Sequence, residues 1–249
     1  MFRISTIVIL GLLLSSCAMV PVGPTRDEKA SKINVQLGVG YYQQGNLELA
    51  NEKLLKALDQ DPESSQAHFA YAVLQHRFLH KEKAEEHFRK AIDLNPENSE
   101  ALSNFGAFLC NDNRVEESVG MFLRAVENPL YKSPEVAYTN AAVCLLRSDP
   151  EQTEQAIEYL QKALAARGNY RLALINLGEL QFAAGRYDLT QLYLKRFNVA
   201  GAQTARSLWL EIRNELELDN PARAHGLAQK LKAEFPESEQ YKSWLELNK

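Results

Sequence analysis

Hydrophobic residues recur along most of the chain at intervals of three and four, the spacing that places them on one face of an α-helix. Two such fragments, LGVGYYQQGNLELANEKLLKALDQDP and YAVLQHRFLHKEKAEEHFRKAIDLNP, end at Pro62 and Pro96, which lie 34 residues apart. Ala50 and Ala84 are separated by the same interval. The pattern therefore predicts a helix–turn–helix unit that is repeated along the chain.

This period indicates the fold class. A 34-residue helix–turn–helix unit with small residues at fixed positions matches the tetratricopeptide repeat (TPR). We expect an all-α, right-handed superhelical solenoid of about six repeats, closed by a capping helix. The predicted repeats span 31–64, 65–98, 99–134, 135–170, 171–204 and 205–237, and the cap spans 238–249. Repeats 5 and 6 depart from the pattern, because Phe197, Ile212 and Leu231 stand where small residues are expected.

The beginning of the chain shows a different pattern. An apolar run over residues 4–14 follows a single basic residue, Arg3, and precedes two serines. The run is too short to cross a bilayer, which requires about 20 apolar residues. A basic start, a short apolar core and a small-residue exit are typical of a secretory signal peptide, which we assign to residues 1–16.

The end of the signal peptide and the next residue read LSSC, residues 14–17, which resembles the bacterial lipobox. This resemblance implies cleavage before Cys17 and a covalent lipid on its sulfur and new amine. Several acyl chains would hold the protein firmly at a membrane. Ala18 follows the cysteine, which in this class of lipoproteins implies the periplasmic face of the outer membrane. Residues 17–30 are predicted to form a flexible tether. The alternative is an ordinary signal peptide with a cysteine nearby.

Composition and charge exclude several classes of function. The formal net charge is −4, whereas nucleic-acid binding favours a basic face. No serine, cysteine or carboxylate stands in a recognisable nucleophile motif. His76 and His80 have the spacing of a helical metal pair, but no glutamate follows His76. We therefore predict neither an enzyme nor a small-molecule substrate, metal or cofactor, apart from the covalent lipid on Cys17.

A TPR superhelix usually binds its partner with the first helix of each repeat, which lines the concave face. The predicted N-terminal part of this groove is apolar and aromatic, which suits an amphipathic helix or an extended peptide. The alternative is that some of these side chains belong to the core. The predicted lining residues are Val35, Val39, Tyr42, Phe69, Val73 and Arg77.

One asparagine recurs at the same helix position in three repeats: Asn104, Asn140 and Asn176. An amide side chain has both a donor and an acceptor, so it can hold a peptide backbone from both sides. We therefore add these residues to the predicted groove. The alternative is that each asparagine bonds to a neighbouring helix.

Cys110 and Cys144 lie on the first helices of repeats 3 and 4. An even pair of cysteines in an oxidising compartment favours a disulfide. Adjacent helices come close enough for such a bridge if the Cβ directions agree. Two buried thiols are the alternative.

Two irregular stretches resemble a known family beyond the general TPR pattern. These stretches are NPLYKSPEVAYTNAAVCLL (128–146) and ARSLWLEIRNEL (205–216). Together with SNFGAFLC and the lipobox, they resemble the PilF/PilW family of type IV pilus biogenesis lipoproteins, or pilotins. The resemblance implies an outer-membrane TPR lipoprotein that binds secretin subunits of the type IV pilus and promotes their localisation and multimerisation. The alternative is a periplasmic TPR adaptor for cell-wall enzymes or outer-membrane protein assembly.

Overall fold

The structure is a computed structural model that describes residues 26–247. Within this range the chain folds into thirteen α-helices and contains no strand. The signal peptide, Cys17 and most of the predicted tether lie outside the described residues. The helices are α1 (Arg26–Gln43), α2 (Leu47–Gln60), α3 (Ser65–Arg77), α4 (Lys81–Leu94), α5 (Ser99–Asn111), α6 (Val115–Glu127), α7 (Pro134–Ser148), α8 (Thr153–Ala166), α9 (Arg171–Ala183), α10 (Tyr187–Val199), α11 (Ala205–Glu217), α12 (Pro221–Glu234) and α13 (Glu239–Leu247).

The helices form six antiparallel pairs followed by α13, which is the all-α repeat architecture expected from the sequence. One boundary differs from the prediction, because α1 begins at Arg26 and includes residues 26–30, which we assigned to the tether. Asp27 and Glu28 lie in the first turn of α1. Their negative charges are favourable near the positive end of the helix dipole, so helix formation extends further towards the N-terminus than the hydrophobic period indicates.

Small residues allow the two helices of each repeat to pack closely. Ala50, Ala57, Ala84 and Ala91 are fully buried where the helices cross. Gly38 fills the same role on α1, since a Cβ atom there would lie 2.6 Å from Cγ of Leu54. These contacts are why the small residues recur with the period of the repeat.

Hydrogen bonds repeat with the same period as the small residues. Ser31 Oγ donates to the carbonyl of Ala57 at 2.8 Å, and Ser65 Oγ donates to that of Ala91 at 2.7 Å. The turns are also capped, because Asn46, Ser64 and Asn98 each accept a bond from the backbone N–H three residues further on. A side-chain cap of this kind contributes about 1 kcal/mol.

The atypical repeats 5 and 6 accommodate their larger residues in the core. Ile212 of α11 and Leu231 of α12 are fully buried in one cluster, together with the small residues Ala224 and Ala228 of α12. Phe197 is 4% exposed and lies in another cluster, formed by α9, α10 and α11. The large side chain of Ile212 is therefore matched by small residues on the neighbouring helix, whereas Phe197 packs among large apolar residues.

Helix α13 packs on the last repeat with only some of its apolar side chains. Tyr241 and Trp244 contact the core cluster of α11 and α12. Leu245 and Leu247 are 47% and 63% exposed. The face of α13 that meets the core is therefore formed by Tyr241 and Trp244, and the two leucines lie outside it.

No helix in the described range is both long and apolar enough to span a membrane.

Candidate peptide-binding groove

The contacts between helices define an inner and an outer row. The first helices of the repeats (α1, α3, α5, α7, α9 and α11) each contact the next first helix. Among the described residues, no second helix (α2, α4, α6, α8, α10 or α12) contacts another second helix. The stack therefore curves with the first helices inside. We call the surface of these first helices that faces away from the second helices the inner face.

The first three repeats and the turn after α6 enclose a cavity of about 740 Å³, which we call the N-terminal groove. The structure places six of the nine predicted groove residues around it. They are Val35, Val39, Tyr42, Phe69, Val73 and Asn104. Most of this predicted set therefore surrounds one continuous space on the inner face.

The six residues do not contribute equally. Val35 is 2% exposed and belongs to a core cluster, so it forms the floor of the groove. Val39 is 36% exposed, while Phe69 and Val73 are half-buried and pack against the next core cluster. The alternative that some predicted lining residues are core residues therefore holds for Val35 but not for Val39.

Three predicted residues lie outside the N-terminal groove. Arg77 is exposed at the end of α3. Asn140 and Asn176 are half-buried on α7 and α9, further along the inner face. A role for these three residues in binding stays a prediction.

Two of the three asparagine side chains donate a hydrogen bond within their own helix, and one of them also accepts a bond from another helix. Nδ2 of Asn104 donates to the carbonyl of Glu100 at 2.9 Å, and Nδ2 of Asn176 donates to that of Leu172 at 2.6 Å. Oδ1 of Asn176 also accepts a bond from Arg206 at 3.0 Å. For Asn104, the internal bond holds the side chain at the edge of the groove that it lines.

A turn also contributes residues to the groove that the sequence did not predict. Leu130, Tyr131 and Lys132 belong to the lengthened turn between α6 and α7 and line the N-terminal groove. Asn128 holds this turn in place, because its Nδ2 donates to the carbonyl of Glu97 at 3.1 Å and its Oδ1 accepts from the Leu130 N–H at 2.9 Å. The unusual length of this turn was the only feature of the sequence that could have indicated its contribution to the groove.

The groove combines an apolar floor with a polar rim. Leu130 is 84% exposed beside it, and burial raises the pKa of the Tyr131 phenol. Glu97, Glu100 and Lys132 contribute charges of both signs at the edge. Such a surface suits apolar and aromatic side chains of a polypeptide whose backbone meets polar groups.

Cys110 and Cys144 form a disulfide that joins α5 to α7 on the inner row. Their Cα atoms are 5.8 Å apart, and both side chains are buried. Arg147 covers the bridge, since its Nη2 donates to the Cys110 carbonyl and lies 3.1 Å from the Cys110 sulfur. The bridge therefore links the middle two repeats covalently.

The C-terminal end of the inner face contains a second group of residues that the sequence analysis missed. Arg206, Trp209 and Arg213 follow one another along the exposed face of α11, and they meet Glu179 and Phe182 of α9. The sequence contained a signal for this group, because charged and aromatic side chains recur on α11 at intervals of three and four residues, the spacing of one helix face.

Comparison with known proteins places the chain in a family. Models of the tetratricopeptide repeat match residues 35–99, 149–189 and 87–119. The type IV pilus assembly protein PilF of Pseudomonas aeruginosa is 31% identical over 88% of this chain and 86% of its own length. The chain belongs to the PilF/PilW family of TPR proteins.

Solved structures of PilF/PilW family members agree with this assignment. The structure of Pseudomonas aeruginosa PilF superposes with a TM-score of 0.80 at 31% identity, over 89% of this chain and 99% of that one. PilW, described as a widely conserved type IV pilus biogenesis factor, gives 0.76 at 29% identity over 86% and 98%. The similarity therefore covers the whole repeat array rather than single repeats.

Proposed function

We propose that this protein acts in type IV pilus biogenesis as an outer-membrane lipoprotein, a pilotin that binds secretin subunits and promotes their localisation and multimerisation. The observation that carries the proposal is the N-terminal groove, an apolar surface on the inner face of a chain that is similar to PilF and PilW over most of its length. The protein acts by binding, without a catalytic step.

The groove provides the docking surface. Tyr42, Phe69 and Val73 offer apolar contact area, and Asn104 offers an amide oxygen beside them. An apolar segment of a secretin subunit gains free energy when it leaves water, by about 25 cal/mol for each Å² buried. The backbone of that segment is bound by the polar rim.

The lipid anchor supplies the location. In this proposal Cys17 carries the acyl chains, and the repeats begin at Arg26. Nine residues span at most about 30 Å when extended, so the groove stays close to the periplasmic face of the outer membrane. Holding subunits at one surface raises their local concentration and promotes assembly of the ring.

The first experiment uses a strain that lacks the gene. Inner and outer membranes are separated and probed for detergent-resistant secretin multimers. We expect multimers to be lost, or secretin to stay in the inner membrane. Normal assembly in the outer membrane would contradict the proposal and favour the adaptor alternative.

Complementation then tests the groove and the anchor separately. We expect a Tyr42→Ala, Phe69→Ala double variant to be stably expressed but unable to capture secretin. Leu55→Ala is the matched control, because Leu55 is 45% exposed on the outer helix α2. Cys17→Ser is expected to capture secretin in solution but to leave it in the inner membrane. Equal capture by the double variant and the control would exclude the N-terminal groove as the docking site.

A further inference from the structure

Arg213 on α11 is held between two aromatic rings at the C-terminal end of the inner face. Its guanidinium carbon lies 4.7 Å from the ring centre of Phe182 and 5.5 Å from that of Trp209. A cation over aromatic faces is stabilised by the ring quadrupoles. The two rings therefore fix the guanidinium group without using its N–H donors.

These donors have no partner within the described part of the chain. The Nε atom is buried and makes no hydrogen bond, and Arg213 takes part in none of the ion pairs of the described residues. Its two Nη groups, which also lack a partner, are not among the buried unpaired atoms, so they keep access to solvent. Burial lowers the pKa of the Arg213 guanidinium, as expected for a cation partly removed from water without a bonded anion.

The neighbouring carboxylate is already occupied. Arg206 donates to Glu179 through two bonds, Nε to Oε1 at 2.7 Å and Nη2 to Oε2 at 2.5 Å. Arg206 therefore occupies both oxygens of Glu179, which attracts Arg213 through space but forms no hydrogen bond or ion pair with it among the described residues. An arginine that serves only to stabilise the fold would be expected to bond to such an acid. Arg213 is instead positioned by the two rings, and its N–H donors remain available to a ligand.

We propose that Arg213 receives an aspartate or glutamate side chain of an extended polypeptide that lies along the inner face. The guanidinium group binds carboxylates through two parallel N–H donors, and fixing it beforehand reduces the entropy that is lost on binding. Leu216 is 39% exposed three residues further on the same helix, so the preferred acidic residue has apolar neighbours. This inference concerns the chemistry of the bound segment and does not depend on the partner being a secretin.

The chain offers a direct reporter for this site. It contains two tryptophans, and Trp244 lies in the capping helix α13, so a Trp244→Phe protein emits from Trp209 alone. This protein is titrated with the blocked pentapeptide Ac-Ala-Leu-Glu-Leu-Ala-NH₂ and with the same peptide containing glutamine. We expect the glutamate peptide to change Trp209 fluorescence and to bind roughly tenfold or more tightly than the glutamine peptide. Its affinity should fall as sodium chloride is raised.

Variants assign the effect to the guanidinium group. Arg213→Gln is expected to abolish the preference for glutamate, and Arg213→Lys to retain only part of it. Arg186→Gln is the matched control, because it removes one positive charge from an exposed residue at the turn between α9 and α10. Circular dichroism establishes that each variant is folded.

Three results would overturn the inference. One is equal binding of the two blocked peptides, or no binding of either, which needs no variant to interpret. Another is an unchanged preference in Arg213→Gln. The third is binding only of a glutamine peptide with a free C-terminal carboxylate, which would make the site a receptor for chain ends. None of these results affects capture of secretin by the N-terminal groove, so the two proposals fail independently.

Discussion

At the scale of single residues, two glycines on α1 show how sequence and packing differ. Gly38 and Gly40 both lie inside the helix, where glycine lowers helix stability by about 1 kcal/mol relative to alanine. A Cβ atom at Gly38 would lie 2.6 Å from Leu54 Cγ, whereas at Gly40 it would meet nothing within 4 Å. The sequence offers two similar glycines, and only the neighbouring helix distinguishes them.

We therefore expect opposite effects of alanine at the two positions. Gly38→Ala should reduce the free energy of unfolding by about 1–2 kcal/mol, because overpacking outweighs the gain in helix propensity. Gly40→Ala should raise it by about 0.5–1 kcal/mol. Urea denaturation followed by circular dichroism measures both values. Equal stabilisation by the two substitutions would mean that α1 and α2 are not packed as closely as the structure shows.

A histidine pair connects α3 and α4. His68 Nδ1 lies 2.8 Å from His87 Nδ1, and the ring of Tyr71 meets His87 edge-on. Burial, followed by the nearby His68 charge, lowers the pKa of His87 below its usual value. The folded state therefore prefers neutral His87, and the unfolded chain binds more protons in the range just below the unfolded pKa of about 6.5.

The sign of the pH dependence follows from this difference in proton binding. Stability from His87 is fully present above about pH 6.5 and is lost as the pH falls below the unfolded pKa, with a slope of at most about 1.4 kcal/mol per pH unit for one group. Denaturation curves at pH 7.5, 6.5 and 5.5 should show this loss, and His87→Gln should reduce it. An unchanged slope in the variant would assign the pH dependence to other groups.

At the scale of elements, the capping helix tests how the solenoid ends. Trp244 contacts the core cluster of the last repeat, whereas Leu247 on the same helix is 63% exposed. We expect Trp244→Ala to lower stability by about 1–3 kcal/mol, less than for a fully buried aromatic. Leu247→Ala should change it by less than about 0.5 kcal/mol. Thermal melts of both variants check this, and similar values would show that α13 does not close the core.

Elements were predicted well where the period is strong, because helix spacing and repeat spacing reinforce each other. The described residues form six helix pairs and a final helix, as expected for a TPR superhelix, with a longer turn between α6 and α7. Their ends depended on local chemistry, as the acidic first turn of α1 shows. The face of a helix that meets the core was harder to predict. Tyr241 and Leu245 are four residues apart, yet only Tyr241 contacts the core.

At the scale of the whole molecule, the repeats are coupled mainly to their neighbours, as in other solenoids. The disulfide between Cys110 and Cys144 adds a covalent link between repeats 3 and 4. Closing a loop of this length is expected to contribute about 3–4 kcal/mol by restricting the unfolded chain. The centre of the array should therefore open less often than its ends.

Hydrogen–deuterium exchange measures this difference directly. We expect peptides from α5 to α8 to exchange most slowly, and those from α1, α2 and α13 most quickly. A Cys110→Ala, Cys144→Ala protein should lose much of the protection at the centre while keeping the same helices. Protection that is uniform along the array, or unchanged by removing the cysteines, would contradict this expectation.

The sequence was enough to predict an all-α array of about six repeats and a final helix, because periodicity and small residues are properties of the chain alone. It also indicated most of the N-terminal groove, since Val39, Tyr42, Phe69 and Val73 occupy fixed helix positions. Packing between helices decided that Val35 lies in the core and that Leu130 borders the groove. It also decided that Arg213 is held by rings from two helices while Glu179 is taken by Arg206. These features depend on distances between residues far apart in sequence, which a pattern along one chain does not contain.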